Sequence, residues 1–161
     1  MSKVALVVGG GRNLGAFLSS GLADAGYKVA VADLDGASAE ESAAAIAEQF
    51  GQANVMAVQA NSTDEADVER MVGAVAERFG RIDLLVYNAG VAQAAKIDVF
   101  SLDAWKRSID VNLTGYFLCA RAVSKVMIKQ NSGRIIQINS KSGKVGSKHN
   151  SGYSAAKFGG V

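Results

Sequence analysis

Val4-Ala5-Leu6-Val7-Val8-Gly9-Gly10-Gly11-Arg12-Asn13-Leu14-Gly15 is an unbroken apolar run that stops on three glycines and opens onto a helical pattern. Five apolar residues without polar alternation suit a strand buried on both faces, as strands of a parallel sheet are. Beyond it Leu14, Phe17, Leu18, Leu22 and Ala25 recur at helical spacing until Gly26 supplies a stop, and a second apolar run covers 29–32. The spacing predicts a β-α-β unit connected through the glycine turn. The alternation continues with a helix over 38–50, a strand over 55–59, a helix over 65–79 and a strand over 82–87. A long helix over 102–129, a strand over 134–139 and a helix from 152 complete the chain. Five strands alternating with helices through short turns predict an α/β fold with a doubly wound parallel sheet.

A glycine turn at a strand-to-helix junction brings backbone close to a ligand, and the N–H groups at the positive end of the helix can hold a pyrophosphate. Gly9, Gly11, Arg12, Asn13, Leu14 and Gly15 are therefore the candidate phosphate-binding residues. Taken alone, the turn is also what any tight connection needs. Asp33 stands at the end of the second strand, 18 residues after Gly15, where a carboxylate can accept hydrogen bonds from adenosine ribose hydroxyls. A 2′-phosphate there would meet a like charge, so Asp33 points to NAD rather than NADP. Arg12 pulls the other way, because a guanidinium near the ribose can pair with that phosphate. The carboxylate is given the greater weight, and NAD is the expected cofactor.

The chain has 161 residues, 49% of them hydrophobic, and a formal net charge of +2. That length supports one core and not two, so 1–161 is read as a single domain. With 20% charged residues and so small a net charge, neither a disordered tail nor a general nucleic-acid coat is suggested. Cys119 is the one cysteine and cannot close an internal disulfide, and no apolar run approaches the roughly 20 residues that span a bilayer. Ser2-Lys3 leads straight into the first strand without the order of a secretory signal. The expected compartment is the cytoplasm, with neither a membrane nor a nucleic acid as partner, and no metal site is expected. Glycine is frequent, with 18 residues, and proline is absent; the absence suggests that proline-bearing loops lie outside this chain.

Tyr153 and Lys157 lie four apart at the start of the last helix, so both project from one face. A free phenol titrates near pH ~10 and is a poor acid or base at neutrality; an adjacent ammonium favours the phenolate. Ser140 follows the fifth strand at the carboxyl edge of the sheet, where ligands of such folds bind, and its hydroxyl can hold a substrate oxygen. Without context the pair is an amphipathic helix surface and the serine a turn cap. Trp105, Ile109, Asn112 and Tyr116 share one helical face. An asparagine on an apolar stripe must find partners for its amide, either in neighbouring backbone or in a polar relay.

The motifs Gly9 to Gly15, Asn88-Ala89-Gly90, Asn112, Ser140, Tyr153 and Lys157, in this order along the whole chain, resemble those of the short-chain dehydrogenase/reductase family. The resemblance implies a Rossmann-like fold binding NAD, with Asn88, Ala89 and Gly90 as further cofactor contacts. It also implies Tyr153 as acid/base, Ser140 positioning the carbinol or carbonyl oxygen, and Lys157 binding the nicotinamide ribose and easing the tyrosine's ionisation. Asn112 would link the lysine through water to a proton relay. The sequence departs from the family pattern in three places. Asn13 replaces the second motif glycine, Tyr87 replaces the first asparagine of Asn-Asn-Ala-Gly, and Asn61 stands where an adenine-contacting aspartate is usual. Asn13 tolerates left-handed backbone and Asn61 keeps its hydrogen-bonding capacity, so the binding mode should survive. The family continues with two more strands, a loop covering the substrate and a helical segment, so the chain is expected to be incomplete after its fifth strand and the start of the following helix. Homo-dimers or tetramers built through the helix containing Asn112 and the helix beginning at Tyr153 are a further implication.

From Gly133 to Val161 the charged residues are Arg134, Lys141, Lys144, Lys148 and Lys157, with no Asp or Glu. Lys141, Ser142, Lys144, Lys148 and His149 lie between the catalytic serine and tyrosine, so this loop is positioned to attract an anion. A phosphorylated small-molecule substrate is expected, and the stretch from Ser140 to Gly160 resembles the polyol-phosphate members of the family. A solvated basic loop is the plain alternative, with part of the charge offsetting cofactor phosphates. Another sugar phosphate, or a nucleotide-binding chain without turnover, remains open at this point. The latter follows from the missing strands, which would leave the pocket without a wall.

Overall fold

In the computed structural model, which describes residues 2–161, one parallel sheet of five strands runs in the order β3-β2-β1-β4-β5. The strands are β1 (Val4–Val8), β2 (Lys28–Asp33), β3 (Val55–Gln59), β4 (Leu84–Tyr87) and β5 (Arg134–Gln137). The helices are α1 (Asn13–Asp24), α2 (Gly36–Phe50), α3 (Glu65–Phe79), α4 (Leu102–Ile109), α5 (Gly115–Gln130) and α6 (Ser151–Gly159). This is the expected doubly wound sheet. Every residue of β1 is buried because alternate side chains serve two cores. Val4, Leu6 and Val8 meet Met71 and Val75 of α3 and Leu118 and Val123 of α5. Ala5 and Val7 face Ala23 of α1 and Ala39 and Ile46 of α2. Leu, Val and Met side chains buried in this way each contribute about 1.5–3 kcal/mol.

The pairing aligns the carboxyl ends of the strands. Val8 lies opposite both Ala32 and Tyr87, and Tyr87 lies opposite Gln137. Gly9, Asp33, Asn88 and Ile138 therefore emerge along a single edge. The strand order reverses between β1 and β4, which opens the crevice where such sheets bind ligands.

Three local expectations are corrected. The strand expected over 82–87 begins at Leu84, because the N–H and carbonyl of Ile82 are both taken by the Gln130 carboxamide (2.9 and 2.8 Å). The strand expected over 134–139 ends at Gln137; one residue on, the carbonyl of Ile138 accepts from Lys157 Nζ at 2.9 Å instead of from a neighbouring strand. The helix expected over 102–129 is interrupted by a π-helical stretch, Asp110–Thr114, in which Gly115 N donates to Asp110 O.

The apolar stripe read on α1 is also only partly buried. Leu14 and Phe17 are 51% and 75% exposed, whereas Gly15, Ser19 and Ala23 face the sheet. Small residues let α1 sit close over the glycine turn, which is what the site requires of it.

Candidate active site

The glycine turn is built by positive-φ backbone at its entry and exit. Gly9 has φ +75°, and Asn13 has φ +49°, in the left-handed region that asparagine tolerates better than most residues. The N–H groups of Gly9 and Gly10 both donate to Ala32 O (2.8 and 2.9 Å), and Asn88 Nδ2 donates to Gly9 O (2.8 Å). β2 and the end of β4 thus hold the turn from both sides. Gly11 and Gly15 lie against protein: a β-carbon on Gly11 would strike Ala39 N at 2.9 Å, and one on Gly15 would strike the Gly9 carbonyl. Their role is to let the turn fold this tightly.

The helices α2, α3 and α4 are each closed at the N-terminus by a side chain, from Asp35, Asp64 and Ser101. By contrast, α1 has no side-chain cap and no acidic residue in its first turn. Its first amides are left for another acceptor, and the donor set fits a dinucleotide pyrophosphate.

A cleft of about 650 Å³ extends from this turn. Of the candidate cofactor residues, Gly9, Arg12, Asn13, Leu14, Asp33, Asn61, Asn88, Ala89 and Gly90 line it. Sequence reasoning missed Asp35, Ser62, Thr63, Val91, Arg107 and Val111 on the same wall. Arg107 sits on an exposed helix turn that no motif distinguishes. The Asp33 carboxylate is fixed by two backbone amides, Gly11 N at 3.0 Å and Asp35 N at 3.1 Å. Arg12 is ion-paired to Asp35 at 2.6 Å. Asn61 Oδ1 accepts from Thr63 N and Thr63 Oγ1 (3.1 and 2.8 Å).

Ser140, Tyr153 and Lys157 are brought to the same edge by contacts between the chain after β5 and α6. Lys157 is 3% exposed, and its Nζ lies 5.5 Å from the centroid of the Tyr153 ring. Burial lowers the pKa of its ammonium from the ordinary lysine value. Asn139 Nδ2 donates to Lys157 O (3.0 Å), clamping the end of β5 to α6. Ser140 caps a single 3-10 turn, Lys141–Gly143, with Oγ accepting from Ser142 N at 3.1 Å. Its hydroxyl proton remains available for a substrate oxygen. Asn139 was read only as a strand residue, and its clamp follows from the early end of β5.

Asn112 is fully buried in the π stretch. Its Nδ2 donates to Val91 O and Ser108 O (2.8 and 2.9 Å), and its Oδ1 accepts from Val91 N (3.3 Å). This is the tie to neighbouring backbone that the amide had to find. The contact also places Asn112 beside Gly90: a β-carbon on Gly90 would lie 2.9 Å from Asn112 Oδ1 and 3.9 Å from Lys157 Nζ. Only hydrogen fits there, and the strip between the cleft wall and the lysine stays open. The face read through Trp105, Ile109, Asn112 and Tyr116 is split, since Trp105 is 37% exposed while Tyr116 packs on Tyr87 with ring centroids 5.7 Å apart.

The residues assigned to substrate are dispersed. Lys141, Lys144, Lys148 and His149 are exposed, and His149 is held at φ +60° with its carbonyl accepting from Ala95 N at 2.8 Å. Ser142 is buried and its hydroxyl bonds Ser147, which turns it into the loop rather than toward a ligand. A second hollow, about 360 Å³, is lined by His149 together with Lys96, Asp98, Ser147 and Ser151. None of the three loop lysines lines it, and Lys96, a lysine outside every motif, does.

A match to the short chain dehydrogenase family covers residues 3–161. Sorbitol-6-phosphate 2-dehydrogenase of Escherichia coli (strain K12) is 56% identical over all of this chain and 62% of its own length. A 3-oxoacyl-[acyl-carrier-protein] reductase of Synechocystis sp. is 42% identical over 98% of this chain and 64% of its own length. Among solved structures, sorbitol-6-phosphate 2-dehydrogenase from Erwinia amylovora superposes with a TM-score of 0.96 at 60% identity, covering 98% of this chain and 62% of that one. Levodione reductase superposes at 0.93 with 37% identity, covering 98% and 61%. The chain thus spans a little under two thirds of the length of these relatives. No helix among the described residues is long and apolar enough to cross a membrane. With the glycine turn, the buried lysine beside the tyrosine and the family match all on one frame, the chain belongs to the short-chain dehydrogenase family.

Proposed function

We propose that the protein to which this chain belongs oxidises carbon 2 of D-sorbitol 6-phosphate with NAD, giving D-fructose 6-phosphate and NADH. The observation that carries the reading is Tyr153 and Lys157 on one face of α6, at the sheet edge that also carries the uncapped start of α1. The high identity to the two sorbitol-6-phosphate 2-dehydrogenases supports the choice of substrate. Asp33, fixed by Gly11 N and Asp35 N, supports NAD as the dinucleotide.

Ser140 donates its free hydroxyl proton to the carbinol oxygen and holds it. Tyr153 Oη takes the carbinol proton. Lys157 keeps a positive charge beside the phenol and orients the nicotinamide ribose. NAD, held at the glycine turn and by Asp33, would supply the acceptor for the hydride of carbon 2. The loop lysines draw the phosphate end toward this edge.

The test uses the full-length protein and follows NADH formation with several polyol phosphates. Tyr153→Phe should abolish turnover and leave dinucleotide affinity within about twofold of wild type, since the ring and its packing remain. Turnover by Tyr153→Phe near the wild-type rate would remove the proton-transfer assignment. Preference for a different polyol or sugar phosphate would correct the substrate and leave the chemistry.

A further inference from the structure

The corner of the cleft proposed for the adenosine ribose carries Asp33, Arg12 and Asp35. Arg12 presents a guanidinium that could seat a 2′-phosphate, yet its Nη2 is 2.6 Å from Asp35 Oδ2. Asp35 is not a free carboxylate that drifted onto an arginine. It is the N-cap of α2, its Oδ1 accepting from Ser38 N (3.4 Å) and its Oδ2 accepting from Ser38 Oγ (2.9 Å). The Ser38 hydroxyl, before any other group, holds its carboxyl below the usual range, so it stays charged at neutral pH. Its own N–H donates to Asp33 Oδ1, so the two carboxylates are linked through one loop.

We propose that Asp35 is a second determinant of nucleotide choice beside Asp33: by pairing with Arg12 it withholds from a 2′-phosphate the guanidinium that would otherwise receive it. The inference rests on the dinucleotide-binding reading and extends it to a residue outside the glycine motif. A 2′-phosphate entering this corner meets the Asp33 charge and, to recruit Arg12, must displace a carboxylate that the first turn of α2 holds in place. NAD makes neither demand. Arg12 and Asp35 are both exposed, with side chains 58% and 46% accessible, so the pair acts by competition at the mouth of the site and contributes little to the fold.

The experiment measures dissociation constants for NADH and NADPH by fluorescence titration of the full-length protein: wild type, Asp35→Asn, Arg12→Gln and the double variant. Asparagine caps a helix as well as aspartate does, so α2 keeps its start while the competing charge is gone. Asp35→Ser, another good cap, serves as the second variant. The expected result is a shift of the affinity ratio toward NADPH of about tenfold in both Asp35 variants, the scale of one unit charge removed beside a phosphate dianion. The shift should vanish when Arg12 is also replaced. An unchanged ratio in both Asp35 variants overturns the proposal, as does a gain that persists without Arg12. If wild type binds neither dinucleotide, the dehydrogenase reading fails and takes this inference with it; if wild type binds NADH and the ratio does not move, only this inference fails.

Discussion

Lys157 illustrates what its proposed functional position costs a single residue. It is almost wholly buried, and its ammonium finds one carbonyl, Ile138 O, and the face of the Tyr153 ring. Burial places the native pKa below the ordinary 10.5, so the unfolded chain binds this proton more readily than the native one. Stability therefore rises as pH climbs from the lowered native value toward 10.5, and below that native value the penalty is present in full. Lys157→Met should be inactive yet show a higher denaturation midpoint than wild type at pH 7, with the advantage shrinking as pH is raised toward 10.5. A lower midpoint for the variant at pH 7 would mean that the carbonyl and ring contacts outweigh desolvation. The position of the lysine was legible from its spacing to Tyr153. Its burial was not, because residues 138 and 139, which close over it, belong to a strand end.

At the scale of elements, the π stretch between α4 and α5 is the feature that periodicity did not foresee. Side chains take carbonyls that a regular α-helix would use: Asn112 Nδ2 binds Ser108 O, Gln137 Nε2 binds Asn112 O at 3.0 Å, and the Tyr87 hydroxyl donates to Val111 O at 2.5 Å. Tyr87 also shares a hydrogen bond with Ser62 Oγ at 3.1 Å. The departure from the family's asparagine is thus absorbed by a phenol that ties the loop after β3 to the segment carrying Asn112. Gly115 completes the arrangement, since a β-carbon there would run into that hydroxyl and approach Ser62 O at 3.0 Å. Tyr87→Phe should destabilise by about 1–3 kcal/mol by leaving the Val111 carbonyl unpaired. Gly115→Ala should be costly in wild type and markedly less so in Tyr87→Phe, as read by chemical denaturation of the four proteins. Additive effects would show that hydroxyl and glycine do not share the space.

For the whole molecule, the distribution of charge matters more than its small net value. The last segment carries basic residues and no acid, and Lys141, Lys144 and Lys148 stand exposed with no ion pair among the described residues. Exposed and unpaired, these lysines form no built phosphate cradle, and the role proposed for them is a field at the mouth of the site. In the full-length protein, replacing all three with alanine should raise KM for the phosphorylated polyol several-fold, more at low salt than at high, and leave KM for the unphosphorylated polyol nearly unchanged. Equal effects on both substrates would count against an electrostatic role.

The chain's own pattern determined the fold class, the strand count, the glycine turn with Asp33 after it and the pairing of Tyr153 with Lys157. Each of these depends on local periodicity or on spacing within one element, which a linear sequence carries. Only the tertiary structure decided that Arg12 is held by Asp35, that Ser142 turns inward, that Lys96 joins His149 in a second hollow and that Asn112 hangs on Val91. Those outcomes depend on which partners three-dimensional packing brings within about 3 Å of a polar atom, and no spacing along the chain encodes that competition.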